Sequence, residues 1–257
     1  YNLQEAKQLG YSKLLTFGGA FSNHLLAVAA LGKMLQLRTL GFVRGDEARA
    51  TNAYEHWLQQ LNMELIRIPR ALFSDKKACY HFIQTQYPEA QFIPEGAHPL
   101  PTSEPLAALL DEQPLDYHHL YVSCGTGATL LALASGLSNR GQHQVKLHGV
   151  SVEKKEAHIL DLLVQAKEIH PATKVYPAPS GRHFAKLTAE MLDISRACFD
   201  QTGVAPDPIY DALLLLQIYQ NQKQGLHATH EEILWLHSGG LPGWAGYPSK
   251  SEQLFGL

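Results

Sequence analysis

Residues 14–24 read Leu14-Leu15-Thr16-Phe17-Gly18-Gly19-Ala20-Phe21-Ser22-Asn23-His24. An apolar run typical of a buried strand leads into paired glycines, and Ser-Asn-His then opens a long apolar segment typical of a helix. The backbone N–H groups of a first helical turn have no partner within the helix, and the helix dipole favours negative charge there. This turn therefore predicts a place where small hydrogen-bonding side chains hold a charged or planar ligand.

A second turn of the same kind lies at residues 120–129, which read Leu120-Tyr121-Val122-Ser123-Cys124-Gly125-Thr126-Gly127-Ala128-Thr129. It is not a Walker A loop, because no Lys-Ser/Thr pair follows, and Leu130 stands where a G-x-G-x-x-G loop has its last glycine. A small phosphate monoester fits this loop better than a dinucleotide. Two such turns on one sheet indicate a single cofactor held from two sides. The alternative is a plain strand-to-helix turn in which glycine serves tight packing.

Strand-type runs alternate with helix-period segments along the whole chain. This alternation predicts an α/β fold with mostly parallel strands, in which ligands bind beyond the carboxyl ends of the strands. The predicted strands are 13–17, 39–43, 64–68, 91–93, 119–123, 145–152 and 233–237. The predicted helices are 2–8, 23–36, 51–61, 75–86, a short one near 106, 126–138, 154–169, 187–201 and 207–222.

Composition excludes several classes of protein. The chain has 257 residues and a formal net charge of -3, without long charged blocks, so neither nucleic acid nor an anionic membrane is an expected partner. Its apolar runs, such as Leu213 to Leu216, are too short to span a bilayer. Three cysteines without C-x-x-C spacing favour a reducing, cytoplasmic location over a disulfide scaffold. The chain begins inside a predicted helix without a methionine, so we expect further residues upstream of Tyr1.

Each candidate side chain also has a purely structural interpretation. Ser22 and Asn23 could be helix caps, and Asp207 and Asp211 could be a cap and a first-turn acid, with Pro208 in the first helical position. No metal site is predicted, because neither His227 with His230 nor the adjacent His118-His119 has a convincing third ligand. No G-x-S-x-G elbow makes Ser22 a hydrolase nucleophile.

Five segments together resemble the fold-type II pyridoxal-phosphate enzymes, and most closely the 1-aminocyclopropane-1-carboxylate deaminase and D-cysteine desulfhydrase family. They are Gly18-Gly19-Ala20-Phe21-Ser22-Asn23-His24, Pro94-Glu95-Gly96, Ser123-Cys124-Gly125-Thr126-Gly127, Asp207-Pro208-Ile209-Tyr210 and His237-Ser238-Gly239-Gly240. They occur in the family's order. The resemblance implies two open, mostly parallel sheets flanked by helices, in a smaller domain at 1–100 and a larger phosphate-binding domain at 101–257. It also implies pyridoxal 5′-phosphate as cofactor, a small amino acid as substrate, and a homodimer.

The resemblance implies a role for each matching residue. Asn23 would contact the pyridine 3′-oxygen, Ser22 would lie near the substrate carboxylate or act on the substrate, and Tyr210 would lie beside the substrate. The pyridine nitrogen would meet Asp211, as in the deaminases, or Ser238, as in the desulfhydrases. The residues that would bind the phosphate are Gly125, Thr126, Gly127 and Thr129.

The chain departs from the family in three ways. The Schiff-base lysine of the family falls upstream of Tyr1 in a gapless register, and none of Lys7, Lys13, Lys33 and Lys186 matches it. Phe184 stands where the family has a second active-site tyrosine, and Ser238 breaks the deaminase pairing of an acid with an apolar residue. The expected function is deamination of 1-aminocyclopropane-1-carboxylate or β-elimination from D-cysteine. The alternatives are a non-catalytic protein that binds the cofactor or a phosphate, and a Rossmann-like enzyme that binds a mononucleotide.

Overall fold

The chain divides into two compact units, Tyr1–His98 and Pro99–Leu257, in a computed structural model. The structure describes residues 2–45, 51–96, 106–112, 116–152, 156–165, 170–178 and 186–256. Among these residues, no helix combines the length and the apolar character that crossing a membrane requires.

The first unit is a four-stranded parallel sheet in the order β3-β2-β1-β4. Its strands are β1 (Lys13–Gly18), β2 (Arg38–Arg44), β3 (Met63–Ile68) and β4 (Gln91–Phe92). Its helices are α1 (Asn2–Gln8), α2 (Asn23–Leu35), α3 (Ala53–Gln60), α4 (Arg70–Ser74) and α5 (Lys76–Gln86). Successive strand residues point to opposite faces, and the fully buried neighbours Leu14 and Leu15 pack into two different apolar clusters. The sheet is therefore covered on both faces, which explains the continuous apolar run of β1.

The second unit repeats this plan with the strand order β7-β6-β5-β8, again parallel throughout. Its strands are β5 (His119–Cys124), β6 (Lys146–Ser151), β7 (Thr173–Tyr176) and β8 (Ile233–Trp235). Its helices are α6 (Ala128–Asn139), α7 (Glu156–Gln165), α8 (Ala189–Thr202), α9 (Tyr210–Lys223) and α10 (Pro248–Phe255), with 3-10 turns at Ala108–Glu112 and Leu241–Gly246. The predicted fold class, with two open parallel sheets flanked by helices, is confirmed.

Several sequence-based expectations are wrong in detail. The two glycine turns follow strands of different sheets, because β1 pairs with β2 and β4 whereas β5 pairs with β6 and β8. Helix α9 begins at Tyr210 rather than Asp207, because the Asp207 carboxylate accepts hydrogen bonds from the N–H groups of Ile209 and Tyr210 and holds a turn ahead of the helix. Pro208 therefore lies in that turn and not in the first helical position. Three elements were not predicted: α4, α10 and β7.

A buried ion pair joins a helix start to a strand in the first unit. Glu55 is fully buried, and its two carboxylate oxygens accept hydrogen bonds from the Arg67 guanidinium at 2.9 and 2.8 Å. The same side chain forms a capping box with Asn52 at the start of α3. One carboxylate thus fixes both the first turn of α3 and the side chain that β3 presents to it.

Candidate functional site

In the first unit, the turn after β1 is held by hydrogen bonds around Ser22. The Ser22 hydroxyl caps α2 by accepting a hydrogen bond from the backbone N–H of Leu25 at 3.4 Å. Its backbone carbonyl accepts a hydrogen bond from the hydroxyl of Tyr54 at 2.6 Å. The capping interpretation of Ser22 therefore holds, and the hydroxyl can still donate its own hydrogen to an acceptor.

Asn23 is the first residue of α2, and its side chain lacks the hydrogen bonds that the neighbouring side chains of Ser22 and His24 make. Its carbonyl oxygen Oδ1 is buried and has no hydrogen-bond partner among the described residues. The next residue, His24, is satisfied, since its Nε2 lies 2.7 Å from the hydroxyl of Thr16. Burial lowers the pKa of His24, so its ring is neutral near pH 7. A buried polar atom without a partner carries a desolvation penalty, and a bound ligand can relieve it.

Gly18→Ala is expected to displace this turn. A Cβ on Gly18 would lie 2.6 Å from Ser22 Oγ and 2.9 Å from Leu25 Cγ, closer than carbon atoms tolerate. Because the capping serine and Asn23 must move, we expect the affinity for pyridoxal phosphate, the cofactor that the sequence resemblance implies, to fall about tenfold or more. Gly19→Ala is the matched control, since a Cβ there meets nothing within 4 Å. Fluorescence titration of both variants measures the effect, and equal affinities would contradict it.

In the second unit, the glycine loop between β5 and α6 has the geometry of an anion site. Gly127 is the N-cap residue of α6, with φ 90° and ψ -5°, and no side chain caps the helix at this position. The first N–H groups of α6 therefore point toward the loop without a side-chain acceptor from the N-cap residue, and the helix dipole adds to their positive character. Thr126 and Thr129 flank this point and are both half-buried.

Tyr210 lies against the same loop. A Cβ on Gly125 would lie 3.3 Å from the Tyr210 hydroxyl and 3.4 Å from its ring, so only glycine leaves ordinary space there. The structure thus brings the first residue of α9 next to the loop that follows β5. The two elements meet because α9 packs on β5, where Tyr121 and Leu214 belong to one buried apolar cluster.

Asp211 is fully buried and is held by three donors. Its Oδ2 accepts a hydrogen bond from the backbone N–H of Asp207 at 2.9 Å and lies 2.5 Å from Nδ1 of His237, while its Oδ1 accepts from Nε1 of Trp235 at 3.3 Å. Burial raises the pKa of this carboxyl, and the hydrogen bonds oppose that rise. Ser238, the next residue after His237, is exposed.

Sequence reasoning missed two histidines. His237 was considered only as part of the segment His237-Ser238-Gly239-Gly240, whereas its ring contacts the Asp211 carboxylate. His148 was not considered, and the structure brings it beside His119 and His227, which supplies the third histidine that the sequence spacing lacked. Phe184, the predicted replacement of a family tyrosine, lies outside the described residues.

No family model matches the chain, but individual relatives do. A protein of Pyrococcus horikoshii with the provisional name 1-aminocyclopropane-1-carboxylate deaminase is 24% identical over 99% of this chain and 82% of its own length. A protein of Pyrococcus abyssi with the same provisional name is 22% identical over 98% of this chain and 81% of its own length.

Solved structures share the fold. A homologue of 1-aminocyclopropane-1-carboxylate deaminase superposes with a TM-score of 0.79 at 22% identity, over 99% of this chain and 82% of that one. A pyridoxal 5′-phosphate-dependent aspartate racemase gives 0.64 at 12% identity, over 93% of this chain and 77% of that one. A threonine deaminase gives 0.61 at 17% identity, over 93% of this chain and 81% of that one. The resemblance to the fold-type II pyridoxal-phosphate enzymes is therefore confirmed.

Proposed function

We propose that this chain, which resembles the fold-type II pyridoxal-phosphate enzymes over nearly its whole length, binds pyridoxal 5′-phosphate and acts as a lyase or deaminase on a small amino acid. The observation that carries the proposal is the loop before α6. Its left-handed Gly127 leaves the helix start without a side-chain cap, as a bound phosphate requires.

The residues present fit this cofactor in each unit. In the second unit, Gly125, Thr126, Gly127 and Thr129 would hold the phosphate through backbone N–H groups and hydroxyls. In the first unit, half-buried Asn23 has a buried side-chain oxygen without a partner among the described residues, as expected of a group that binds a ligand. When bound, the cofactor supplies an electron sink for charge that develops at the substrate's α-carbon.

The chain's own residues would position the substrate and exchange protons with it. Ser22 has a hydroxyl hydrogen that its capping role does not use, so it can donate to a substrate carboxylate. Tyr210 has its phenol group beside the glycine loop between β5 and α6, where it can contact a bound amino acid. Each hydroxyl can donate and accept a hydrogen bond, as substrate binding and proton exchange require.

Ser238, rather than Asp211, is our candidate for the pyridine nitrogen. Asp211 is buried and accepts from three donors of its own unit, whereas Ser238 is exposed at the end of the same segment. A hydroxyl leaves the ring nitrogen more neutral than a carboxylate would. This pattern favours the desulfhydrase-like reaction, in which D-cysteine and water give pyruvate, ammonia and hydrogen sulfide. The amine that anchors the cofactor would be a lysine upstream of Tyr1.

The test compares the chain that begins at Tyr1 with the product of the complete gene. Both are supplied with pyridoxal phosphate and assayed for pyruvate from D-cysteine, and for 2-oxobutanoate from 1-aminocyclopropane-1-carboxylate. We expect turnover of D-cysteine by the complete product alone, because the proposed anchoring lysine would be present only there. Equal turnover by both proteins would assign the amine to a lysine within residues 1–257.

Cofactor binding without turnover of either amino acid would contradict the enzymatic part of the proposal and leave a binding protein. The near-visible absorption of bound pyridoxal phosphate reports binding independently of turnover. Its absence in the complete gene product would contradict the proposed cofactor itself.

A further inference from the structure

A buried cluster of three histidines lies in the second unit, and the proposed function does not use it. His119 is the first residue of β5, His148 is the third of β6, and His227 lies in the segment between α9 and β8. None is more than 9% exposed. One ring nitrogen from each histidine lies within 4.8 Å of the corresponding atoms of the other two.

Each of the three rings has one nitrogen facing a polar partner outside the cluster. His119 Nε2 lies 3.1 Å from Glu231 Oε2, His148 Nδ1 lies 3.2 Å from the Tyr176 hydroxyl, and His227 Nε2 lies 2.7 Å from the Tyr121 hydroxyl. The two tyrosine hydroxyls fix the rings of His148 and His227, whereas His119 Nε2 lies close to the Glu231 carboxylate without a hydrogen bond of regular geometry. Metal-binding histidines are typically oriented in this way, because the nitrogen that does not bind the metal is hydrogen-bonded to a carboxylate or another polar group.

The other nitrogen of each ring remains for the interior of the cluster. His119 Nδ1 and His148 Nε2 lie 2.9 Å apart. His227 Nδ1 is buried and has no hydrogen-bond partner in the part of the chain that the structure describes. A hydrogen bond between the first two rings would satisfy His119 Nδ1 and His148 Nε2 but not His227 Nδ1. A shared metal ion would satisfy all three.

The charge state of the rings suits a metal ion. Burial lowers the pKa of all three histidines, and that of His148 falls to about 3, so the rings are neutral near pH 7 and their lone pairs are available. The charged groups nearby are Glu231 and Lys146, which lie 2.8 Å from each other, and Lys174 on the adjacent strand β7. Of these three groups, the carboxylate of Glu231 is the one in contact with a ring of the cluster.

We propose that His119 Nδ1, His148 Nε2 and His227 Nδ1 bind a zinc ion. Zinc accepts three imidazole nitrogens at about 2.0–2.1 Å in a tetrahedral arrangement whose fourth position is open to water. Nitrogens on such an ion are about 3.3 Å apart. The His119–His148 pair, at 2.9 Å, has to open by a few tenths of an ångström, and a pair at the 4.8 Å limit of the cluster has to close by about 1.5 Å.

The zinc site lies at the opposite end of the strand from the phosphate loop. His119 begins β5 and Gly125 follows its last residue, a separation of about 20 Å along an extended strand. The ion would tie the amino ends of β5 and β6 to the segment that leads into β8. The ion would therefore stabilise the second unit, at a distance from the glycine loop.

The experiment measures zinc and cobalt binding to the full chain after dialysis against a chelator. We expect one zinc per chain, the ligand-field bands of tetrahedral cobalt, and a melting temperature that rises by about 5–10 °C at a hundredfold excess of zinc over its Kd. His227→Gln should lower zinc affinity at least a hundredfold. Glu231→Gln should lower it by about 10- to 100-fold, because it removes the partner of His119.

His230→Gln is the matched control, because His230 is exposed and lies in the same segment. It should keep the wild-type affinity. Zinc binding that is unchanged in His227→Gln, or that is lost equally in His230→Gln, overturns the proposal. X-ray absorption of the zinc-loaded wild type needs no variant to fold: three imidazole ligands support the site, and fewer overturn it.

Discussion

Gly127→Val is expected to abolish cofactor binding at ordinary concentrations while leaving most of the fold intact. The backbone at Gly127 has φ 90°, which costs a non-glycine residue about 1–3 kcal/mol, and a β-branched side chain is the least tolerant of it. A Cβ would also lie 3.3 Å from Ile159 Cγ1. The loop can relax only by turning its N–H groups away from the phosphate position. We expect the affinity for pyridoxal phosphate to fall at least a hundredfold.

Gly141→Val separates this effect from general destabilisation. Gly141 follows α6 at its other end, also has a positive φ of 67°, and a Cβ there meets nothing within 4 Å. It should lower the free energy of unfolding by a similar amount and leave the cofactor affinity unchanged. Titration of both variants with pyridoxal phosphate, alongside urea unfolding, provides the comparison. Equal loss of affinity in the two variants would sink the assignment of this loop.

Asp211→Ala is expected to be the most destabilising single substitution around the proposed site. It removes the acceptor of three donors, the N–H of Asp207 and the side chains of Trp235 and His237. A fully buried donor left without a partner costs about 1–3 kcal/mol. Because Trp235 and His237 are only partly buried, the free energy of unfolding should fall by about 3–5 kcal/mol, in the lower part of the range for three such donors. Urea unfolding followed by tryptophan fluorescence measures this loss, because Trp235 itself is released.

Ser238→Ala distinguishes structural from cofactor contacts in the same segment. Because Ser238 is exposed, its loss should leave the free energy of unfolding within about 0.5 kcal/mol of wild type while shifting the absorption of bound cofactor. Asp193→Ala is the matched control for Asp211→Ala, because it also removes a negative charge but at an exposed position on α8. A shifted absorption in a stable Asp211→Ala variant, with none in Ser238→Ala, would reverse our assignment of the ring-nitrogen partner.

The local features of the chain could be predicted because their causes are local. The apolar runs of β1 and β5, the glycines that end them, and the start of α2 at Asn23 are each set by neighbouring residues. Helix α10 was missed because its sequence is polar and it depends on tertiary packing, with Phe255 against Trp244 and Phe199. Strand β7 was missed because it is four residues long and only partly buried.

The polar clusters depend on strand register, which a single sequence does not reveal. His148 is a lone histidine inside a buried strand. Its place in the histidine cluster follows from the register of β5 and β6, which pairs it with Tyr121. His237 reaches Asp211 across 26 residues of sequence. A family resemblance can indicate which residues face a ligand, but it does not indicate which residues hold them in position.

The ion pair of Glu55 and Arg67 constrains how this chain can change over evolutionary time. Replacing Arg67 alone would leave a buried negative charge, and replacing Glu55 alone would strip both the guanidinium and the amide of Asn52 of their acceptor. Neutral drift at either of positions 55 and 67 is therefore blocked while the other residue persists. Among proteins descended from a common ancestor with this one, the residues at 55 and 67 should be exchanged together, and an alignment of the family would show them as covarying positions.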